Sequence, residues 1–224
     1  MIKNLKEFFD KNVFNRIFSG ILFVVPFIFF IINGDYYFII YFLIVLSILI
    51  DEFINETANK INLIKRILFI CFLIISIFHF IFLRLSYDEF IISYILYIVI
   101  AIWLFDSFSL IGGKIIGGKK LLPIISPNKT FEGFVGGIAA SLAFGLLMYY
   151  VYQLPTSMVL IIIFSSFYAF VGDYFMSYLK RQSNLKDTGS ILPGHGGILD
   201  RIDSHLSAST IFTFLFLLIQ TLGI

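Results

Sequence analysis

Seven apolar runs, each near or above the length a helix needs to cross a lipid bilayer, leave this chain of 224 residues few ways to fold. They read as Ile17 to Ile32, Tyr36 to Ile50, Ile67 to Leu83, Phe90 to Phe105, Gly133 to Tyr152, Met158 to Tyr178 and His205 to Gly223. A hydrocarbon core of ~30 Å takes roughly 17 to 25 helical residues at ~1.5 Å each. Only 13% of the residues are charged, about half the ~25% of a soluble domain, so polar side chains are too few to cover a water-facing surface. The expectation is an all-α polytopic transmembrane bundle of about seven spans. A soluble enzyme, a nucleic-acid-binding module and a disordered tail are excluded. Cys71 is the sole cysteine, which removes intramolecular disulfides and cysteine-rich metal knuckles.

The cations orient the chain. Lys3, Lys6, Lys11 and Arg16 precede the first run, and Lys60, Lys65 and Arg66 follow the second. Lys114, Lys119, Lys120 and Lys129 follow the fourth; Lys180, Arg181, Lys186 and Arg201 follow the sixth. Of the 16 Lys and Arg, Arg84 alone falls on the other side. The positive-inside rule then gives a cytoplasmic N-terminus and an outside C-terminus. Three polar loops, Asp51 to Arg66, Asp106 to Glu132 and Leu179 to Ser204, share the cytosolic side. Ile2, Leu5, Phe9 and Val13 repeat at helical spacing between lysines, which suits an amphipathic helix in the inner interface.

The densest polar constellation runs from Gly172 to Asp203. If the sixth helix continues through Arg181, then Asp173, Ser177, Lys180 and Arg181 share one sector, with Asp173 roughly 10 Å deeper than Lys180. An aspartate at that depth needs a polar cavity and a partner. A metal ion is one partner; a structural pairing with Arg201 or Lys180 is another. Asp200 and Asp203, three residues apart, project from one face of a helix that starts after Gly196-Gly197. Three carboxylates fit a hard cation such as Mg²⁺ carrying nucleotide phosphates. The run Pro193-Gly194-His195-Gly196-Gly197 lets backbone N–H groups approach an anion or simply forms a turn. His195 either donates to a phosphate or braces that turn.

A second constellation, Ser126-Pro127-Asn128-Lys129-Thr130-Phe131-Glu132-Gly133, precedes the fifth run. Pro127 favours a turn, Asn128 or Thr130 can cap the helix, and Lys129 and Glu132 fall one turn apart. Capping leaves Lys129 unexplained, because a cation at a helix N-terminus is disfavoured unless an anion is bound. Upstream, Asp106-Ser107-Phe108-Ser109 ends the fourth run and Gly112-Gly113-Lys114 and Gly117-Gly118-Lys119-Lys120 follow. A P-loop is rejected there, since Lys120 replaces the Ser or Thr and no strand precedes it. Gly133 and Gly137 are spaced for helix packing.

The 27 residues from Ser177 to Asp203 resemble the C-terminal signature of the phosphatidate cytidylyltransferases, the CDP-diacylglycerol synthases. Ser126 to Gly133 resembles that family's second motif, and Asp106 with the following glycines a degraded third. The chain differs by a short N-terminal part and by Ser107 and Ser109. The resemblance implies a polytopic inner-membrane enzyme, with an N-terminal part over 1–105 and a catalytic part over 106–224. It would join CTP to phosphatidic acid and release pyrophosphate. By position it implies metal ligation by Asp173 and Asp200, with Mg²⁺ or Mn²⁺ and room for a second ion. It places Lys180, Arg181, Lys186, Asp187, His195, Arg201 and Asp203 on catalytic positions. Ser126, Lys129, Thr130, Glu132, Gly196 and Gly197 fall on substrate-binding ones. The implied partners are CTP, phosphatidic acid and the bilayer, with a homodimer as one possible assembly and no nucleic acid. Two competing readings are a CTP-using enzyme of another lipid and an ion-coupled transporter built around Asp173. The gathering of polar residues on one side speaks against the transporter.

Overall fold

The computed structural model describes residues 24–57, 60–87, 89–185, 187–189 and 196–223. The N-terminal amphipathic stretch, Lys186 and His195 lie outside them. The described residues form helices α1 (Val24–Asn33), α2 (Asp35–Thr57), α3 (Leu63–Ser86), α4 (Glu89–Ile115), α5 (Phe131–Tyr152), α6 (Thr156–Gln182) and α7 (Leu199–Leu222). Between α4 and α5 stands an antiparallel hairpin, β1 (Lys120–Leu122) and β2 (Ser126–Thr130), pairing Lys120 with Thr130 and Leu122 with Ser126. Six helices, α2 to α7, are long and apolar enough to cross a membrane. Of the first expected span, α1 is the described part. The bundle is helical, as expected, with the hairpin as an addition.

The helices run further than the apolar runs do. α2 continues through Asp51 and Glu52 to Thr57, and α4 continues past Asp106 through Gly112-Gly113 to Ile115. Asp106 therefore lies within α4 rather than at its end, about 14 Å from the helix terminus at ~1.5 Å per residue. The reason is packing. A Cβ on Gly112 or Gly113 would press on α5 or its cap, and one on Gly133 or Gly137 would overlap Ser109 of α4. With hydrogen in place of side chains, the two helix backbones touch, and this contact outweighs glycine's weak helix propensity. The spacing of Gly133 and Gly137 thus does serve packing. The turn sits at Pro123–Ile125, not at Pro127, and Lys129 lies on β2 rather than on the helix. Thr130 caps α5, accepting from Gly133 N–H at 3.1 Å.

α7 is the enclosed element: 56% of its most apolar window is buried, against 22% for α5 at the lipid-facing edge. It packs against α6, α3, α4 and α2. Its interior side is small and hydroxylated, and Ser207 Oγ donates to Tyr168 O of α6 at 2.9 Å beside Gly172. Ser76 of α3 and Thr210 of α7 pair at 3.0 Å. Such residues let helices approach and satisfy their own hydroxyls, which bulk hydrophobicity cannot do in a solvent as apolar as the core. Elsewhere the seam is aromatic, with Phe42 stacked on Phe80 and Phe53 against Phe69.

At the opposite end from the polar loops, Arg84 terminates α1. Gly34 takes φ +64° and donates its N–H to Phe30 O at 3.0 Å, and Arg84 Nε donates to the next carbonyl, Ile31 O, at 3.0 Å. The guanidinium occupies the space a Gly34 side chain would need. A cation at a helix C-terminus also meets the favourable pole of its dipole. Gly34→Ala is expected to destabilise the protein by about 1–2 kcal/mol through backbone strain alone. Because it also displaces Arg84, its effect and that of Arg84→Ala should sum to more than the double variant loses. Heat-unfolding midpoints in detergent for the two single variants and the double check this; strict additivity would refute the shared contact.

Candidate active site

The polar end of the bundle gathers the C-terminal turns of α2, α4 and α6, the first turns of α3, α5 and α7, and the hairpin. Two ion pairs cross it. Lys129 Nζ of β2 meets Asp173 Oδ2 of α6 at 2.5 Å and lies 4.8 Å from the centre of the Phe170 ring. Lys180 Nζ of α6 meets Asp200 Oδ1 of α7 at 2.6 Å. The helix α6 runs through Arg181, which meets the condition set for Asp173 and Lys180 to share a sector, and so brings both to one end of one element. The Lys129–Asp173 side chains keep 21% and 31% of their exposure, whereas Asp200 keeps 3%. The first pair is the more open of the two.

Asp200 is also a staple. Its Oδ2 accepts from Thr188 N–H at 2.7 Å and Gly197 N–H at 3.3 Å, tying both flanks of the loop after α6 to the first turn of α7. Gly196 takes φ +82°, and a Cβ there would lie 3.1 Å from both Asp187 and Asp200, so any side chain would be strained. Asp203 is buried one turn further along α7, its Oδ1 accepting from Ser204 N–H at 2.7 Å. It lies in the electrostatic field of Asp173, Lys180 and Asp200, and Asp106 in that of Asp173 and Lys129. Four carboxylates thus share two ammonium groups. Among the described residues no three acidic, histidine or cysteine side chains converge tightly enough to enclose an ion in this arrangement, in which lysines hold two of the carboxylates.

Other expected residues take different stations. The Arg181 guanidinium donates to Ile125 O at 3.1 Å and Leu185 O at 2.9 Å, holding the hairpin turn and the chain after α6 rather than the acidic cluster. Ser126 pairs in the hairpin, and Asp187 and Arg201 are exposed. Glu132 folds its carboxylate over Gly118 at the entrance to the hairpin.

Glu52 is absent from the sequence-based candidates. It is 4% exposed, and its two oxygens accept from Ile198 N–H at 3.2 Å and Leu199 N–H at 2.9 Å. The first turn of α7 has no side-chain cap of its own, since Ile198 stands at that position. A carboxylate at a helix N-terminus satisfies open donors and meets the positive pole of the dipole. The signal was present: a helix starting without Ser, Thr, Asp or Asn at its cap needs an acceptor from elsewhere.

A family model described as the cytidylyltransferase family matches residues 57–219. A phosphatidate cytidylyltransferase of Bacillus subtilis is 44% identical over 141 residues, covering 62% of this chain and 52% of its own length. Those of Staphylococcus haemolyticus and Staphylococcus epidermidis are each 43% identical, over 118 and 133 residues, covering 51% and 58% of this chain and 45% and 50% of theirs. The chain thus spans about half the length of the curated relatives it matches.

Glu52→Ala leaves two buried N–H groups without their acceptor and should cost about 1–3 kcal/mol. Glu52→Gln, which keeps one acceptor oxygen, should recover part of that. Heat-unfolding midpoints in detergent, with hydrogen exchange at Ile198 and Leu199, measure it; equal protection in all three proteins would remove the capping role.

Proposed function

Because the chain belongs to the cytidylyltransferase family, we propose that it transfers the cytidylyl group of CTP to phosphatidic acid, giving CDP-diacylglycerol and pyrophosphate. The observation that carries the reading is the crossing of Lys129–Asp173 and Lys180–Asp200 at one end of an apolar bundle, with Asp106 and Asp203 in their field. The names of the relatives support the two substrates.

The reaction asks little of a general base. A phosphate monoester has its second pKa near ~6, so phosphatidate is mostly a dianion at neutral pH. One of its oxygens attacks the α-phosphorus of CTP in line; the new P–O bond forms as the bond to the bridging oxygen breaks, and pyrophosphate leaves with that electron pair. The difficulty is bringing two polyanions together. Lys129 and Lys180 supply the positive charge, exchanging carboxylate oxygens for phosphate oxygens, and the bundle end fixes their separation. Arg181 acts at one remove, since its bonds to Ile125 O and Leu185 O set where the hairpin carries Lys129.

The donor chemistry fits a divalent ion. Oxygen ligands suit Mg²⁺ or Mn²⁺, and four carboxylates against two lysines leave negative charge to neutralise. Asp173, whose Oδ1 is engaged by a long 3.4 Å bond from Ser177 Oγ, and Asp200 would hold it, with Asp203 beside them and a second ion compatible with the set. Bound there, the ion would screen the triphosphate and polarise its phosphoryl oxygens. The distribution of Lys and Arg supports a site facing the cytoplasm, within the proposed seven-span arrangement in the inner membrane with the C-terminus outside.

Purified protein given CTP labelled at the α-phosphate, phosphatidic acid and Mg²⁺ should place label in lipid. Label transferred only from the γ-phosphate would identify a kinase instead. Asp173→Asn should lower transfer at least ~100-fold, as loss of a charge-positioning group does, with membrane insertion unchanged. Undiminished transfer in that variant would overturn the assignment of Asp173.

A further inference from the structure

A cavity of about 490 Å³ opens between α3, α6 and α7, within the ~300–1,000 Å³ of small-ligand sites. Its walls are Phe72 and His79 of α3, Tyr168, Gly172 and Phe175 of α6, and a stripe of α7 from Ser207 to Leu217. We propose that this groove holds an acyl chain of the lipid phosphate used by the site, an inference that rests on the reaction proposed above.

Three observations choose that occupant. The first is length. Ser207 to Leu217 spans ten residues of helix, about 15 Å along its axis, which is half of a ~30 Å hydrocarbon core and therefore the depth of one leaflet. The second is wall chemistry. The hydroxyls on the α7 wall are turned onto helix carbonyls: Ser207 Oγ to Tyr168 O, Thr210 Oγ1 to Leu206 O and Thr213 Oγ1 to Ser209 O. What remains toward the groove is mostly methyl and methylene surface with aromatic rings, His79 of α3 being the polar side chain among them, and this predominantly apolar lining matches a saturated chain. The third is continuity with the site. On α7 the series Asp200, Asp203, Ser207, Thr210, Phe214 and Leu217 advances by three and four residues and so forms one stripe. Its acidic end is the site; its other end is the groove wall. A chain lying along that stripe delivers its phosphate end to Lys180 and Asp200, joined at 2.6 Å.

The absence of a side chain at Gly172 lets α6 and α7 touch at this junction. A Cβ there would overlap Ser207 Oγ and press on Asp203 O, so α6 and α7 would have to part where the groove joins the site. The groove and the reacting groups are two stretches of one helix contact.

The test uses the full-length protein in nanodiscs with a phosphatidic acid carrying a photoreactive diazirine at the end of one acyl chain. Adducts should concentrate on Phe214, Leu217 and Phe72, and excess unlabelled phosphatidic acid should suppress them while phosphatidylcholine should not. Label spread evenly onto lipid-facing α5 residues such as Leu146 and Tyr150, or equal suppression by phosphatidylcholine, would overturn the proposal. Ile211→Trp, which fills the groove, should raise KM for long-chain phosphatidic acid by about 10-fold or more, the scale of a misfitted hydrophobic pocket. KM for dihexanoyl phosphatidic acid and for CTP should stay unchanged. An active wild type with diffuse labelling defeats the groove alone. A wild type that transfers to no lipid phosphate defeats the reaction reading, and the labelling pattern still decides the groove.

Discussion

Charge buried at the end of an apolar bundle is the constraint around which the rest is arranged. An isolated carboxylate there is strongly disfavoured, so each one must meet a cation or a set of N–H donors. Lys129 reaches Asp173, Lys180 and the N–H groups of Thr188 and Gly197 reach Asp200, and Ser204 N–H reaches Asp203. The hairpin, α6, α7 and the segment between α6 and α7 are tied together by these bonds. The hairpin is where it is because Lys129 must reach α6, and the segment after α6 folds back because Asp200 collects its amides.

Buried ion pairs stabilise less than their Coulomb attraction suggests, since desolvation offsets much of it. In the reaction proposed above a lysine would release an aspartate for a phosphate oxygen, an exchange that a purely structural bolt does not call for. The stability of the bundle comes from elsewhere: the glycine contact of α4 with α5, the small-residue contact of α6 with α7, and the Phe seam of α2 with α3.

Much of this was legible in the chain because the signals were local. Helical spacing from Asp173 to Arg181, the Asp200 and Asp203 pair after two glycines, and Thr130 as a cap each follow from periodicity and capping chemistry within a few residues. What escaped was set by distant contacts. Glu52 reads as the first turn of a polar loop until α7, 146 residues away, presents amides to it. Gly112-Gly113 reads as a loop until α5 arrives with Gly133 to make close approach worth more than flexibility. Lys129 looked misplaced at a helix N-terminus; on a strand whose partner is set by Arg181 and Ile125, it points across to α6 instead.

Glu52 also lies outside the span 57–219 that the family model matches, yet its carboxylate completes the first turn of the helix bearing Asp200 and Asp203. The early spans are therefore not a detachable anchor for an independent reactive half. Any natural recombination or engineered graft that exchanges the front of the molecule has to bring an acceptor to the same point, or the acidic helix begins with open amides facing a dry interior.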